Sequence, residues 1–129
     1  MNAPAFPPLP FLNASLLVAL GGGVGAWLRY AVGRLYGATA LPAGTFTVNV
    51  AGSLAMGLLA GWLARHGAAE GWRLLLGVGV LGGFTTFSSF SLELGLMVER
   101  GELATAFAYA ALSLVLGLAA LFAGLAMAR

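Results

Sequence analysis

The sequence predicts an all-α membrane protein: four transmembrane helices per chain, folded as one domain over 1–129. Three observations carry that prediction. The 129 residues are 60% hydrophobic and 8% charged, with a mean hydropathy of +0.97, whereas a soluble domain carries about 25% charged residues to cover its surface. The few charges divide the chain into uncharged runs at 1–28, 35–64, 74–92 and 103–128. Each run holds the roughly 20 apolar residues that span a hydrocarbon core of about 30 Å. Helices are therefore expected near 11–35, 45–65, 72–98 and 103–127.

The lead "APAFPPLP" is expected to be extended, because proline lacks the amide hydrogen a helix needs. A secretory signal is not expected in the first span, since no Lys or Arg precedes it. The span ends in "GGGVGAWLRY" (21–30). Gly21, Gly23 and Ala26 satisfy the dinucleotide fingerprint as a pattern, but no strand precedes them and the first carboxylate is Glu70. Close helix packing through small residues is the better account, and Gly33/Gly37 and Gly57/Gly61 repeat the same spacing. Arg29, near the end of this span, either snorkels to the interface or lines a watered vestibule whose potential attracts anions.

The second span opens with "LPAGTFTVNVAGS" (41–53). Thr45, Asn49 and Ser53 recur every four residues and share one helix face. Such a stripe either glues helices together or offers hydrogen bonds to a solute, and the Asn49 amide supplies two donors and an acceptor.

The third span contains "LGGFTTFSSFSLE" (81–93). Gly82-Gly83 predicts a break in mid-membrane, which is tolerated where freed backbone groups are buried or line a cavity. Unwound carbonyls of this kind hold cations such as Na⁺ in transporters. Phe84, Phe87 and Phe90 recur every three residues among Thr85, Ser88, Ser89 and Ser91. Ring edges are electropositive, so rings flanked by hydroxyls form a surface that accepts an anion without a full charge. A plain aromatic–small packing seam has the same periodicity. Glu93 serves gating, helix-end anchoring or hydrogen bonding, and the sequence does not separate these. In the fourth span Tyr109 and Ser113 share a face. His66, Glu70, Glu99 and Glu102 read as solvated loop residues.

Orientation follows the Arg/Lys excess in short loops. Here one side holds Arg65, Arg73 and Arg129, and the other Arg34, Arg100 and, depending on depth, Arg29. So even a balance suits insertion both ways up and an antiparallel homodimer; the alternative is that a slight bias suffices. There is no cysteine, so disulfides and thiolate metal sites are excluded. No paired carboxylates or Ser-His-Asp set suggests an enzyme, and a charge of +2 spread over helix ends does not suggest nucleic acid.

Taken together, "GGGVGAWLRY" (21–30), "GTFTVNVAGS" (44–53) and "GGFTTFSSFSLE" (82–93) resemble the small bacterial fluoride channels, the Fluc family, also called CrcB. The resemblance covers the first three of four helices in order and spacing. It implies passive export of fluoride through two pores of an antiparallel, dual-topology homodimer in the cell inner membrane. It also implies a structural Na⁺ at the two-fold axis, held by the backbone carbonyls of Gly82 and Thr85. The matching positions of the fluoride pathway are Phe87, Phe90, Asn49, Arg29, Tyr109, Ser113 and Glu93; Thr45, Ser88 and Ser89 join them from the residue reading. Where some relatives carry a further hydroxyl one turn beyond Ser113, this chain has Gly117. The rival readings are a small multidrug-type proton-coupled exporter, which needs a carboxylate deep in the first helix, and a non-transporting packing subunit.

Overall fold

A computed structural model of the chain describes residues 8–39, 41–67 and 69–129. All its regular elements are helical. Helix α1 is Phe11–Tyr36 and α2 is Ala43–His66. Helix α3 covers 70–84 in three joined pieces: α-helical Glu70–Trp72, π-helical Arg73–Leu81 and α-helical Gly82–Phe84. After Thr85 and Thr86, α4 is Phe87–Glu99, and α5 is Leu103–Ala128. Four segments are long and apolar enough to cross a membrane: α1, α2, the 30-residue Glu70–Glu99 and α5. Each covers its expected run, with ends displaced by one or two residues. The extended lead expected over 3–10 lies, for 3–7, outside the described residues; Pro8 to Pro10 are non-helical, and α1 begins directly after Pro10.

Two parallel helix pairs organise the chain, each joining spans that alternate in sequence. α1 lies along α3, and α2 lies along α5. Glycine sets both contacts. A Cβ on Gly25 would overlap the Val80 carbonyl oxygen, and one on Gly83 would come within 2.5 Å of the Gly22 carbonyl oxygen. In the second pair a Cβ on Gly57 would overlap the Leu121 carbonyl oxygen, and one on Gly124 the Leu54 carbonyl oxygen. Backbones this close gain dispersion contacts that lipid cannot replace, the usual source of helix association where hydrophobic burial offers none. The Gly57/Gly61 spacing packs as expected. Gly33/Gly37 acts differently: a Cβ on Gly44 of α2 would lie 3.5 Å from the Gly33 Cα, a Cβ on Gly33 itself would meet nothing within 4 Å, and Gly37 (φ +68°) ends α1.

The break in the third span is displaced from its expected place. Gly82 and Gly83 stay helical, and the extended residues are Thr85 (φ −85°, ψ 158°) and Thr86 (φ −150°, ψ 123°). Gly83 is there to let α3 approach α1. What interrupts the helix is competition for the Thr86 backbone from another element.

Outward from these contacts the surface is apolar: Leu20, Trp27, Leu35, Leu114, Val115 and Phe122 are exposed. Around the buried Met97, Ala106 and Tyr109, half-buried Phe46, Phe90 and Leu94 complete a small core between α2, α4 and α5.

Candidate functional site

Asn49 is the centre of the site. From α2 its Nδ2 donates to the Thr86 carbonyl (3.0 Å), and its Oδ1 accepts from the Thr86 N–H (2.8 Å). An amide carries donor and acceptor side by side, so one side chain satisfies both backbone groups of an extended residue at membrane depth. The Thr86 hydroxyl then caps α4, accepting from the Ser89 N–H at 3.2 Å. Its oxygen is also 3.4 Å from Ser88 Oγ.

These diversions free particular carbonyls. In an unbroken helix the Thr86 N–H would donate to Gly82 and the Ser89 N–H to Thr85. Both donors are spent on side chains, and neither carbonyl gains another donor among the described residues. Gly82 and Thr85 therefore have uncommitted backbone oxygens, as does Phe84, whose carbonyl the Ser88 N–H would meet in an unbroken helix; these are the hard-oxygen donor type an alkali cation takes. Between them in sequence, the Gly83 carbonyl is met by Arg29 Nε at 3.1 Å. Arg29 thus ties α1 to the end of α3, a partner that neither sequence reading of Arg29 included.

Beside the break lies an open cavity of about 630 Å³, walled by Asn49, Gly52 and Ser53 of α2, Thr85, Thr86, Phe87 and Phe90 of the break and α4, and Ser113 and Gly117 of α5. Its lining is mainly apolar, with polar groups at a few points. Ser113 Oγ is buried and has no hydrogen-bond partner among the described residues. Asn49 has a second amide hydrogen beyond the one given to Thr86. Ser53 donates to the Asn49 carbonyl (2.8 Å), and its oxygen lies 3.6 Å from where a Gly117 Cβ would sit. A hydroxyl from α2 therefore faces the place where α5 has none. Phe87 is 79% exposed in the single chain, its ring centroid 5.9 Å from that of Phe90.

A second polar group lies behind Phe90. The Phe90 and Tyr109 rings are tilted by 58° with centroids 5.1 Å apart. Tyr109 donates its hydroxyl to Glu93 Oε2 at 2.8 Å, while Thr45 donates to Glu93 Oε1. Glu93 thereby joins α2, α4 and α5. It also walls a second cavity, of about 410 Å³, with Thr39, Arg100 and Glu102.

The expected site residues thus fall into two neighbouring sets. Asn49, Thr85, Phe87, Phe90 and Ser113 share the first cavity. Thr45, Glu93 and Tyr109 form the hydroxyl–carboxylate cluster, with Phe90 between the sets. Ser88 and Ser89 lie at the start of α4 outside the first cavity wall, and Gly82 and Arg29 lie on the α1 side. Sequence reasoning missed Thr86, whose backbone and hydroxyl hold the break. The available signal was a β-branched residue with a capping oxygen three positions before Ser89.

A family model described as CrcB-like protein, Camphor Resistance (CrcB), matches residues 16–125. The chain is 57% identical over 123 residues to a protein of Novosphingobium aromaticivorans named fluoride-specific ion channel FluC, covering 92% of this chain and 98% of that one. It is 56% identical over 124 residues to the FluC of Caulobacter vibrioides strain NA1000, with 92% and 97% covered. To the FluC of Hyphomonas neptunium it is 57% identical over 123 residues, with the same shares covered. With four membrane-length helices and a match over most of its length, the chain belongs to the CrcB family.

Proposed function

We propose that this chain is a fluoride-selective channel, not an enzyme, that lets fluoride leave the cytoplasm passively across the inner membrane and so protects the cell. The observation that carries this reading is the buried, unpartnered Ser113 hydroxyl in the same cavity wall as Asn49 and the Phe87 and Phe90 rings. A buried hydroxyl without a partner costs about 1–3 kcal/mol, and a passing anion or its water relieves that cost. Uncharged donors suit the task. They replace hydration well enough to admit a small, strongly hydrated ion, yet no full positive charge holds it back. The electropositive edges of Phe87 and Phe90 extend the line of donors through the apolar stretch.

On this reading fluoride meets Ser113, Asn49 and the two rings in turn, and the Tyr109–Glu93–Thr45 cluster bounds the route behind Phe90. Ser53 stands in at the Gly117 end. The single chain leaves the cavity open and Phe87 exposed, so we assign the missing wall to a second copy, inserted antiparallel. The near-even Arg balance is compatible with this arrangement, with Arg65, Arg73 and Arg129 on one side and Arg34 and Arg100 on the other. The uncommitted carbonyls of Gly82 and Thr85 fit a Na⁺ shared between the copies, which would supply a fixed positive charge holding two broken helices together.

A proton-coupled exporter is disfavoured because Phe11–Tyr36 contains no carboxylate. Reconstitution into liposomes loaded with potassium fluoride tests the assignment. Rapid F⁻ efflux on adding a K⁺ ionophore is expected, with little Cl⁻ movement and no need for a proton gradient. Vesicles that retain fluoride as protein-free ones do would overturn it.

A further inference from the structure

The second cavity contains groups that the conduction path does not use. Its wall includes Thr39 from the α1–α2 loop, Glu93 from α4, and Arg100 and Glu102 from the α4–α5 turn. Arg100 and Glu102 pair in a two-point geometry, Nε to Oε1 at 3.0 Å and Nη2 to Oε2 at 3.3 Å. Both are about half exposed, as befits a cavity rim. The turn that carries them is fixed. The Arg100, Gly101 and Glu102 N–H groups donate to the carbonyls of Leu96, Val98 and Met97, and Gly101 takes φ +76°. Met97 itself is 2% exposed, packed with Ala106 and Tyr109. The two side chains are thus held at the rim by the same core that holds Tyr109.

We infer that this cavity is an outer mouth of the channel, where Arg100 captures small hydrated anions and Glu102 limits that capture. The inference rests on the fluoride-channel reading above. Guanidinium carries five N–H donors; two are spent on Glu102, leaving three for an anion. The charge count gives the directions. Arg100 and Glu102 cancel formally at the rim, and Glu93 in the same cavity wall brings the formal sum to one negative charge, an unfavourable sign for an anion. Glu93 is inward and bonded by two hydroxyls, so Glu102 is the negative charge nearest Arg100. Replacing Glu102 by Gln removes that charge and frees Arg100. Replacing Arg100 by Gln leaves two carboxylates facing the ion. Exposed charges act over roughly a Debye length, about 30 Å at 0.01 M salt and about 3 Å at 1 M.

The test is initial F⁻ efflux from proteoliposomes, at trace fluoride, in about 10 mM and about 1 M of a salt with an impermeant organic anion. At low salt, Glu102→Gln is expected to raise the rate about two- to five-fold, the effect of one unit charge a few ångströms away in water. Arg100→Gln is expected to lower it by at least as much, and Arg100→Lys, which keeps the charge but has three donors in place of five, to fall between Arg100→Gln and the parent. All differences should vanish at high salt, and the opposite signs of the Glu102→Gln and Arg100→Gln effects are what a structural role for the ion pair, lost in either variant, would not produce. A conducting parent whose Glu102→Gln variant matches it at low salt overturns the mouth assignment, as do differences that persist at high salt. A parent that fails to conduct overturns the channel reading itself. Should Arg100→Gln not insert, Glu102→Gln against the parent decides alone.

Discussion

Asn49→Ala is the substitution whose effect follows most directly from geometry. The asparagine amide closes both backbone groups of Thr86 at 3.0 and 2.8 Å, and Thr86 is half-buried. Without the amide, two peptide groups at membrane depth lose their partners. An orphaned buried group costs about 1–3 kcal/mol. Hydrogen bonds between membrane helices average about 0.6 kcal/mol, because the unfolded chain in lipid finds other partners. Two bonds bracket the loss between about 1 and 6 kcal/mol. Because the cavity beside the break is open enough to admit a substituting water, about 2 kcal/mol is expected. The assay is thermal or denaturant unfolding in detergent, paired with fluoride efflux from liposomes. Asn49→Ala should lower stability by that amount and abolish efflux. Asn49→Asp keeps the acceptor for the Thr86 N–H but sets a carboxylate against the Thr86 carbonyl and on the proposed anion route, so it should also stop efflux. An Asn49→Ala protein as stable as the parent would refute the claim that this side chain holds the break open. Unimpaired efflux in both variants would remove Asn49 from the path.

Two further predictions concern packing and the rings. Gly25→Ala places a Cβ onto the Val80 carbonyl oxygen and should prevent a stable fold, seen as aggregation on size-exclusion chromatography. Gly33→Ala meets nothing within 4 Å and should elute as the parent does. Phe87→Ile keeps an apolar residue of similar bulk and should leave stability within about 1.5 kcal/mol even where a second copy covers it, yet cut efflux at least tenfold by removing a ring edge. Phe90→Ile should do the same to efflux and cost further stability, about 1 kcal/mol, from the lost Tyr109 stacking. Wild-type efflux in both would show that ring edges are not part of the path.

The four spans were legible because charge exclusion from lipid acts residue by residue, and uncharged runs need no tertiary information. The glycine pairs were legible as packing elements, but not which pair packs on what. Gly33 and Gly37 have the right spacing yet fall where α1 ends, while Gly21 and Gly25 meet α3. The break was legible as an event and misplaced by three residues. Glycine lowers helix propensity in water, but in lipid an unmade backbone hydrogen bond is too costly for propensity to decide. The interruption sits where Asn49, 37 residues away, substitutes for the missing helix bonds. The same holds for Arg29, whose partner on Gly83 is set by the α1–α3 contact, and for the π-helical turns of Arg73–Leu81, which no local pattern announced. Asn49, Glu93 and Tyr109 stood out as polar groups in apolar runs. Thr86 did not, since its contribution is largely its backbone.

The alternation of helix partners constrains how the chain is made. α1 docks on α3 and α2 on α5, so the two extensive glycine seams each join spans that are not successive, and α1 meets α2 over a smaller contact where Gly44 nears Gly33. A nascent chain that has delivered only α1 and α2 to the bilayer has two small-residue faces with nothing to close against, and Asn49 has no Thr86 to hold. Biogenesis must keep the first half waiting in lipid until the second emerges, so neither half is a self-sufficient folding unit.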